Sequence, residues 1–328
     1  MLKSMRIAAA LMVTGFGVLT PAISQEAYPS KTINLVLPLA AGTGMDSLLR
    51  IYADELQTAL GKPVVVRNET GASFLMAPQS VARSVPDGHT LLATVSPTLV
   101  ISPNYFKQIP YDPDKDFVPI AAYVQSPFIL VASAKSGIKT AQDMLRVAKE
   151  KKGALNYATF GVGTQQSLAF EALKQRYGFE MQEVPYRATQ QILTDVSNGD
   201  VQLAFVETAA SQAMINEGKL QPLAVTSKGR LGLYPNVPTL GEALGAADLD
   251  VVAWHILLAP AQTPPDVLEI IKKQTSIITA KPRFTELAAN LGLIVQTPQS
   301  SDEIRKMLES ERQRWGIVLE KAGLKHSR

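Results

Sequence analysis

The sequence predicts an α/β protein of two domains, and three observations lead there. The chain has 328 residues, room for two units of roughly 100–200 residues each. Strand-like and helix-like segments alternate along it, and β-α-β order argues for parallel sheets joined by crossover helices. One unit of strand, glycine turn and helix occurs twice, with turns reading "LPLAAGTGMDSL" (Leu37–Leu48) and "FGVGTQQ" (Phe160–Gln166).

Ile33–Leu37 is a short β-type run. From Ser47 onward Leu48, Leu49, Tyr52, Leu56 and Leu60 recur at three- and four-residue steps, one face of a helix. Gly61 and Pro63 stop it, and Val64–Val66 opens the next strand. Pro110–Pro119 is too proline-rich for a regular element. Phe128–Ala132 then carries the chain into a second domain, where Leu155–Thr159 is a strand. Leu168, Ala169, Ala172 and Leu173 mark a helix ended by Gly178. Val201–Phe205 and Leu223–Thr226 continue the second unit, and Trp254–Pro260 returns the chain. Two helices close it. One follows Thr263-Pro264 with proline in its first turn. The other starts at Ser300, where Glu303 completes a capping box. Its stripe of Ile304, Met307, Leu308, Trp315, Val318 and Leu319 reads as core.

The first residues read as a signal peptide, 1–24. Lys3 and Arg6 precede an apolar run from Ile7 to Leu19, and Ala22-Ile23-Ser24 predicts cleavage before Gln25. That run is shorter than the ~20 residues needed to span a bilayer. There is no cysteine, hence no disulfide and no lipid attachment at the cleavage site. An unanchored exported protein is expected in the periplasm of a Gram-negative cell.

Net charge is only +3, and no block of Lys and Arg marks a nucleic-acid partner. His89, His255 and His326 are not in metal-ligand spacing. His89 reads as a turn residue and His326 as mobile. His255 either lines a cleft or packs through a hydrogen bond. The serine-hydrolase elbow and the phosphate-loop signature are absent. Gly42-Thr43-Gly44 and Gly161-Val162-Gly163 begin like a dinucleotide fingerprint, but Ser47 and Gln166 stand where its third glycine belongs. No catalytic residue, metal or cofactor is expected.

The turns have another use. The first amides of a helix lack partners and carry partial positive charge. A glycine turn exposes them to a carboxylate as readily as to a phosphate. A hydrogen bond to a charged group contributes roughly 1.5–3 kcal/mol. Three or four such bonds reach the about 8 kcal/mol of micromolar binding. The plain alternative is that both turns simply connect strand to helix. Asp46 suits a helix-capping role as well as a ligand site. Glu207, after a strand end, faces either a cleft or solvent.

The chain resembles the tripartite tricarboxylate transporter substrate-binding proteins, the Bug-type periplasmic solute receptors. The resemblance runs from Tyr28-Pro29-Ser30-Lys31 to the last helix. Its landmarks are Pro86-Asp87-Gly88, Pro110-Tyr111-Asp112-Pro113 with Lys115-Asp116-Phe117, Val184-Pro185-Tyr186, Leu223–Ser227 and Leu257–Pro260. It implies a periplasmic-binding-protein fold of type II-like plan. Each domain would be a mostly parallel sheet flanked by helices, hinged by two interdomain strands. Domain 1 would comprise 25–126 plus 253–328, and domain 2 residues 127–252.

The resemblance further implies that both glycine turns offer backbone amides and ordered water to one ligand carboxylate. The first turn would contribute Leu39, Ala40, Ala41, Gly42, Thr43, Gly44 and Asp46. The second would contribute Phe160, Gly161, Val162, Gly163, Thr164, Gln165 and Gln166. Family members usually carry proline-glycine-glycine in the first turn, serine-histidine at the end of the second, and lysine-glycine-glycine after the proline-tyrosine. Here Ala41-Gly42-Thr43, Gln166-Ser167 and Arg187-Ala188-Thr189 stand instead. Thr189 adds a hydroxyl near the expected cleft. Arg187 pairs with a second carboxylate or points to solvent, and Glu207 completes the candidate set. Phe74 and Phe160 pack against an apolar ligand body or within the core. The expected protein is a monomeric receptor that captures a small carboxylate and delivers it to the membrane subunits of a tripartite transporter. A sensor feeding a kinase, or an enzyme acting on a small anion, are the alternatives.

Overall fold

β1 (Ile33–Leu37) is almost wholly buried, as a strand covered on both faces must be. The computed structural model describes residues 28–328, so the signal-peptide reading of 1–24 lies outside the described residues. α1 (Gly44–Leu60) follows, beginning four residues ahead of Leu48, the first residue of the apolar stripe that revealed it. Gly61 ends it in the left-handed conformation at φ 69°, its N–H bonded back to the Gln57 carbonyl. Next come β2 (Val64–Asn68), α2 (Met76–Ala82), β3 (Thr90–Val95) and the short helices α3 (Pro97–Val100) and α4 (Ser102–Tyr105).

β4 (Phe117–Ser133) corrects the expectation of irregular chain through Pro119, because it is one 17-residue strand. Proline has no N–H for a ladder, and the two prolines inside β4 sit where the ladder is already interrupted. The register shifts just after Pro119. Pro127 is the last residue of β4 paired with the returning strand, and Phe128 is the first paired with the second lobe.

The second lobe holds α5 (Ala141–Glu150), β5 (Asn156–Thr159), α6 (Gln165–Tyr177), β6 (Gln182–Pro185), α7 (Thr189–Asn198), β7 (Leu203–Glu207), α8 (Thr208–Asn216), β8 (Leu220–Val225) and α9 (Leu240–Leu244). Gly178 closes α6 at φ 65°. β9 (Val252–Pro260) brings the chain back, followed by α10 (Pro265–Thr279), α11 (Pro282–Asn290), β10 (Ile294–Val295) and α12 (Ser301–Lys321). Three helices thus close the chain, not two. Ser300 and Glu303 form the expected capping box on α12. The backbone N–H of His326, near the end of the chain, donates to the Asn104 carbonyl at 2.8 Å.

The strand order is β2-β1-β3-β9-β4-β7-β5-β6, with β8 and β10 also paired to β4. β1 is parallel to β2 and β3, and β5 is parallel to β6 and β7. β4 and β9 run antiparallel to their neighbours and stitch the two parallel sheets together. Thr226 secures the junction: its hydroxyl accepts from the Phe128 N–H at 2.8 Å, and its own N–H donates to the Phe128 carbonyl.

Each lobe has its own apolar core. Leu35, Leu48, Tyr52, Ile271 and Phe284 anchor the first, and Ile129, Val131, Ile192 and Val206 the second. A third cluster is continuous under both, from Val36 and Leu92 through Trp315 to Phe170 and Phe205. α12 packs on α3, α4, α6 and β4, so it touches both lobes. None of the helices among the described residues is long and apolar enough to cross a membrane.

Candidate ligand-binding site

The turn between β1 and α1 is built around Asp46, which is 2 % exposed. Its carboxylate accepts from the Gly42 N–H at 2.9 Å, from Arg50 through Nε at 2.9 Å and Nη2 at 3.0 Å, and from Asn68 at 2.9 Å. Thr43 caps α1, its hydroxyl accepting from the Asp46 N–H at 3.3 Å. Burial pushes the Asp46 pKa up, but hydrogen bonds from Arg50, Gly42 and Asn68 outweigh it and hold the group below its ordinary 3.8. Asp46 therefore shapes the turn. Asp46→Ala is expected to cost about 1–3 kcal/mol of stability, because it strands those donors. The folded pKa is depressed, so the contribution is complete above pH 3.8 and is lost as pH falls through the folded value. Denaturant titrations of both proteins from neutral pH into the acid range check both points: the gap should narrow as pH falls below 3.8.

The turn between β5 and α6 has the same plan. Thr159 accepts from the Gly161 N–H at 2.9 Å and donates to Glu183. Thr164 caps α6 and donates to the Gly161 carbonyl at 2.7 Å. Gly161 and Gly163 take φ values of 104° and 86°, which L side chains rarely adopt. Among the described residues nothing accepts from the N–H groups of Val162, Gly163, Gln165 and Gln166. The same holds for Gly44 and Met45 in the first turn.

A cavity of about 370 Å³ lies between the lobes. All of the second turn lines it: Phe160, Gly161, Val162, Gly163, Thr164, Gln165 and Gln166. So do Leu39, Phe74 and Glu207 from the expected set. Phe74 and Phe160 are 42 % and 36 % exposed, open to the cavity rather than sunk in the core. The first turn is brought in less fully. Leu39 and Met45 reach the cavity, whereas Ala40, Ala41, Gly42, Thr43, Gly44 and Asp46 lie outside its lining. Arg187 and Thr189 also lie outside it, and Arg187 is exposed at the head of α7.

Other residues join from positions that gave no local signal. Tyr105 and Ser102 come from α4, Phe128 from the junction of β4, and Arg328 from beyond α12. His255 on β9 also lines the cavity. It is 3 % exposed, and no hydrogen bond to its ring is found among the described residues, so the hydrogen-bonded packing role is not realised. Burial lowers its pKa to about 3, leaving a neutral imidazole. Glu207, at the end of β7, is open to the cavity, yet the surrounding walls desolvate its carboxylate enough to raise its pKa above 4.5. The lobes meet across the cavity where Gly163 lies against the Tyr105 ring, and within the second lobe the Gln165 side chain donates to the Val252 carbonyl at 2.8 Å. No cluster of three or more potential metal ligands occurs among the described residues.

Two parallel-sheet lobes joined through β4 and β9, with a cavity between them, define a two-lobed solute-binding protein. The profile of the family described as "Tripartite tricarboxylate transporter family receptor" matches residues 48–324, and the chain belongs to that family. It is 31 % identical over 291 residues to a Pseudomonas sp. (strain P51) protein described as "UPF0065 protein in tcbD-tcbE intergenic region", covering 88 % of this chain and 86 % of that one. A solved structure described as "R. palustris Rpa4515 with adipate" superposes with a TM-score of 0.79 at 26 % identity, covering 91 % of this chain and 99 % of the other. The "periplasmic binding protein BugD" superposes at 0.76 and 28 % identity, covering 91 % and 99 %.

Proposed function

We propose that this receptor captures a small organic carboxylate between its lobes in the periplasm and hands it to the membrane subunits of a tripartite transporter. The observation that carries the reading is the set of unpaired N–H groups at Val162, Gly163, Gln165 and Gln166, at the head of a 13-residue helix and on a cavity wall. Gln166 (8 % exposed) and His255 (3 % exposed) turn polar side chains without partners into the same space. The adipate carried by the R. palustris relative supports a carboxylate ligand. The periplasmic description of BugD supports export, and cleavage before Gln25 belongs to the same proposal.

Residues 25–126 with 253–328 would move as one domain and 127–252 as the other. A ligand touching both lobes favours the closed arrangement, because only there are all its contacts made. No catalytic step is assigned. Thermal-shift screening of the mature protein against mono- and dicarboxylates, adipate included, tests the reading. A ligand at 100 times its Kd stabilises by about 2.7 kcal/mol, a rise on the order of 5 °C in Tm. A panel in which no carboxylate moves the transition sinks the proposal.

A further inference from the structure

Glu207 is the terminal residue of β7 and pairs in register with Phe128 at the junction of β4. It stands at the N-cap of α8, but its side chain caps nothing. Among the described residues its carboxylate has no ion-pair partner within 4.0 Å and accepts no hydrogen bond. Arg328 is the other charged side chain on the cavity wall, and the two do not pair with each other. The side-chain charge around the cavity is therefore one anion and one cation held apart. The unpaired α6 amides add partial positive charge on the wall formed by the second turn. Five aromatic side chains, Phe74, Tyr105, Phe106, Phe128 and Phe160, also line the cavity.

A dicarboxylate finds positive charge at the α6 amides and at Arg328, but nothing on it matches Glu207. Its first carboxylate could sit on the α6 amides, but a second one near Glu207 would bring like charges together in a partly desolvated space. A zwitterion meets both signs. We infer that the ligand is an amino carboxylate with an apolar body, its carboxylate on the α6 amides and its ammonium on Glu207. This rests on the carboxylate-receptor reading and narrows it. The desolvation that raises the Glu207 pKa is what an ammonium partner would offset.

The test is calorimetric titration of the mature receptor with matched pairs that differ only by the ammonium group. Phenylalanine is set against 3-phenylpropanoate and leucine against 4-methylpentanoate, with adipate as the dicarboxylate probe. A hydrogen bond between charged groups corresponds to about tenfold or more in affinity. The amino member of at least one pair is expected to bind tighter by that factor. Glu207→Gln keeps the shape of the side chain and should narrow the gap. Circular dichroism and the thermal transition confirm that the variant is folded. Adipate or the deaminated members binding as tightly as the amino members, or a gap that survives Glu207→Gln, overturns the inference and leaves the receptor reading intact. In particular, a protonated Glu207 donating to a second carboxylate would appear as adipate binding best. Absence of binding by all probes, adipate included, counts against both.

Discussion

Gly163→Ala is expected to weaken carboxylate binding by about a hundredfold while the protein remains folded. Two costs combine at this residue. Its φ of 86° is a left-handed conformation, which costs a residue bearing a Cβ roughly 1–2 kcal/mol. The new methyl group would also stand 2.6–2.8 Å from three carbons of the Tyr105 ring on the opposite lobe. Tyr105 is 6 % exposed and belongs to the core shared by both lobes, so it has little room to withdraw. Either the loop rotates and turns its free amides away from the cavity, or the lobes part at this contact. Each outcome removes ligand contacts, and a combined cost near 3 kcal/mol is about a hundredfold in Kd. Gly161→Ala is the comparison. It shares the positive φ, at 104°, but its methyl group would meet only the Pro185 side chain at 4.0 Å. It should lose several-fold, not a hundredfold. Titration of both variants with a carboxylate identified by thermal shift decides the matter. Equal affinities for Gly163→Ala and the parent protein would remove the second turn from the site.

The second turn was legible because its requirements are local. Two glycines two residues apart, a threonine cap and a helix stripe are all written within one short stretch, and Gly161, Gly163 and Thr164 play those parts. The first turn was read less well for a physical reason. Asp46 looks like a ligand group in sequence, but its partners Arg50 and Asn68 come from the next helical turn and a neighbouring strand. Local pattern cannot count hydrogen bonds that close only when β1 and β2 pair. The same limit hid Tyr105, Phe128 and Arg328, which meet only because α4, the β4 junction and the segment after α12 converge on the cavity.

β4 is the case where a local rule was overruled. Proline disfavours strands by removing a donor, and the proline-rich stretch ending at Pro119 argued against one. The long-range ladders to β9, β7 and β8 hold the segment extended regardless. α11 was missed although its marks were present: Pro282 in the first turn, Phe284, Leu287 and Ala288 at helical spacing, and Gly292 just beyond. Its nine residues are short enough for the stripe to pass as loop.

Trp315→Ala is expected to cost about 3–5 kcal/mol of stability, the range for removing a large buried aromatic side chain. Trp315 is 2 % exposed and is among the largest fully enclosed side chains of the chain. Its indole N–H donates to Glu311 at 3.2 Å, and the Arg314 guanidinium lies 4.7 Å from the ring centroid. Neither polar contact can refill the volume, so the loss is set by the cavity left behind. The position makes the effect more than local. α12 packs on α3 and α4 of the first lobe and on α6 of the second, and Trp315 sits in the core that runs beneath both. The variant should therefore melt in one transition, lowered by roughly 1.5–2 °C per kcal/mol lost. Separate melting of the lobes would instead mean that the shared core contributes little coupling. Trp315 does not line the cavity, so a ligand of the parent protein should still raise the melting temperature of the variant. Calorimetry with and without that ligand separates the two effects. A loss below about 1 kcal/mol would show that α12 can repack around the gap, contrary to a helix held on three sides.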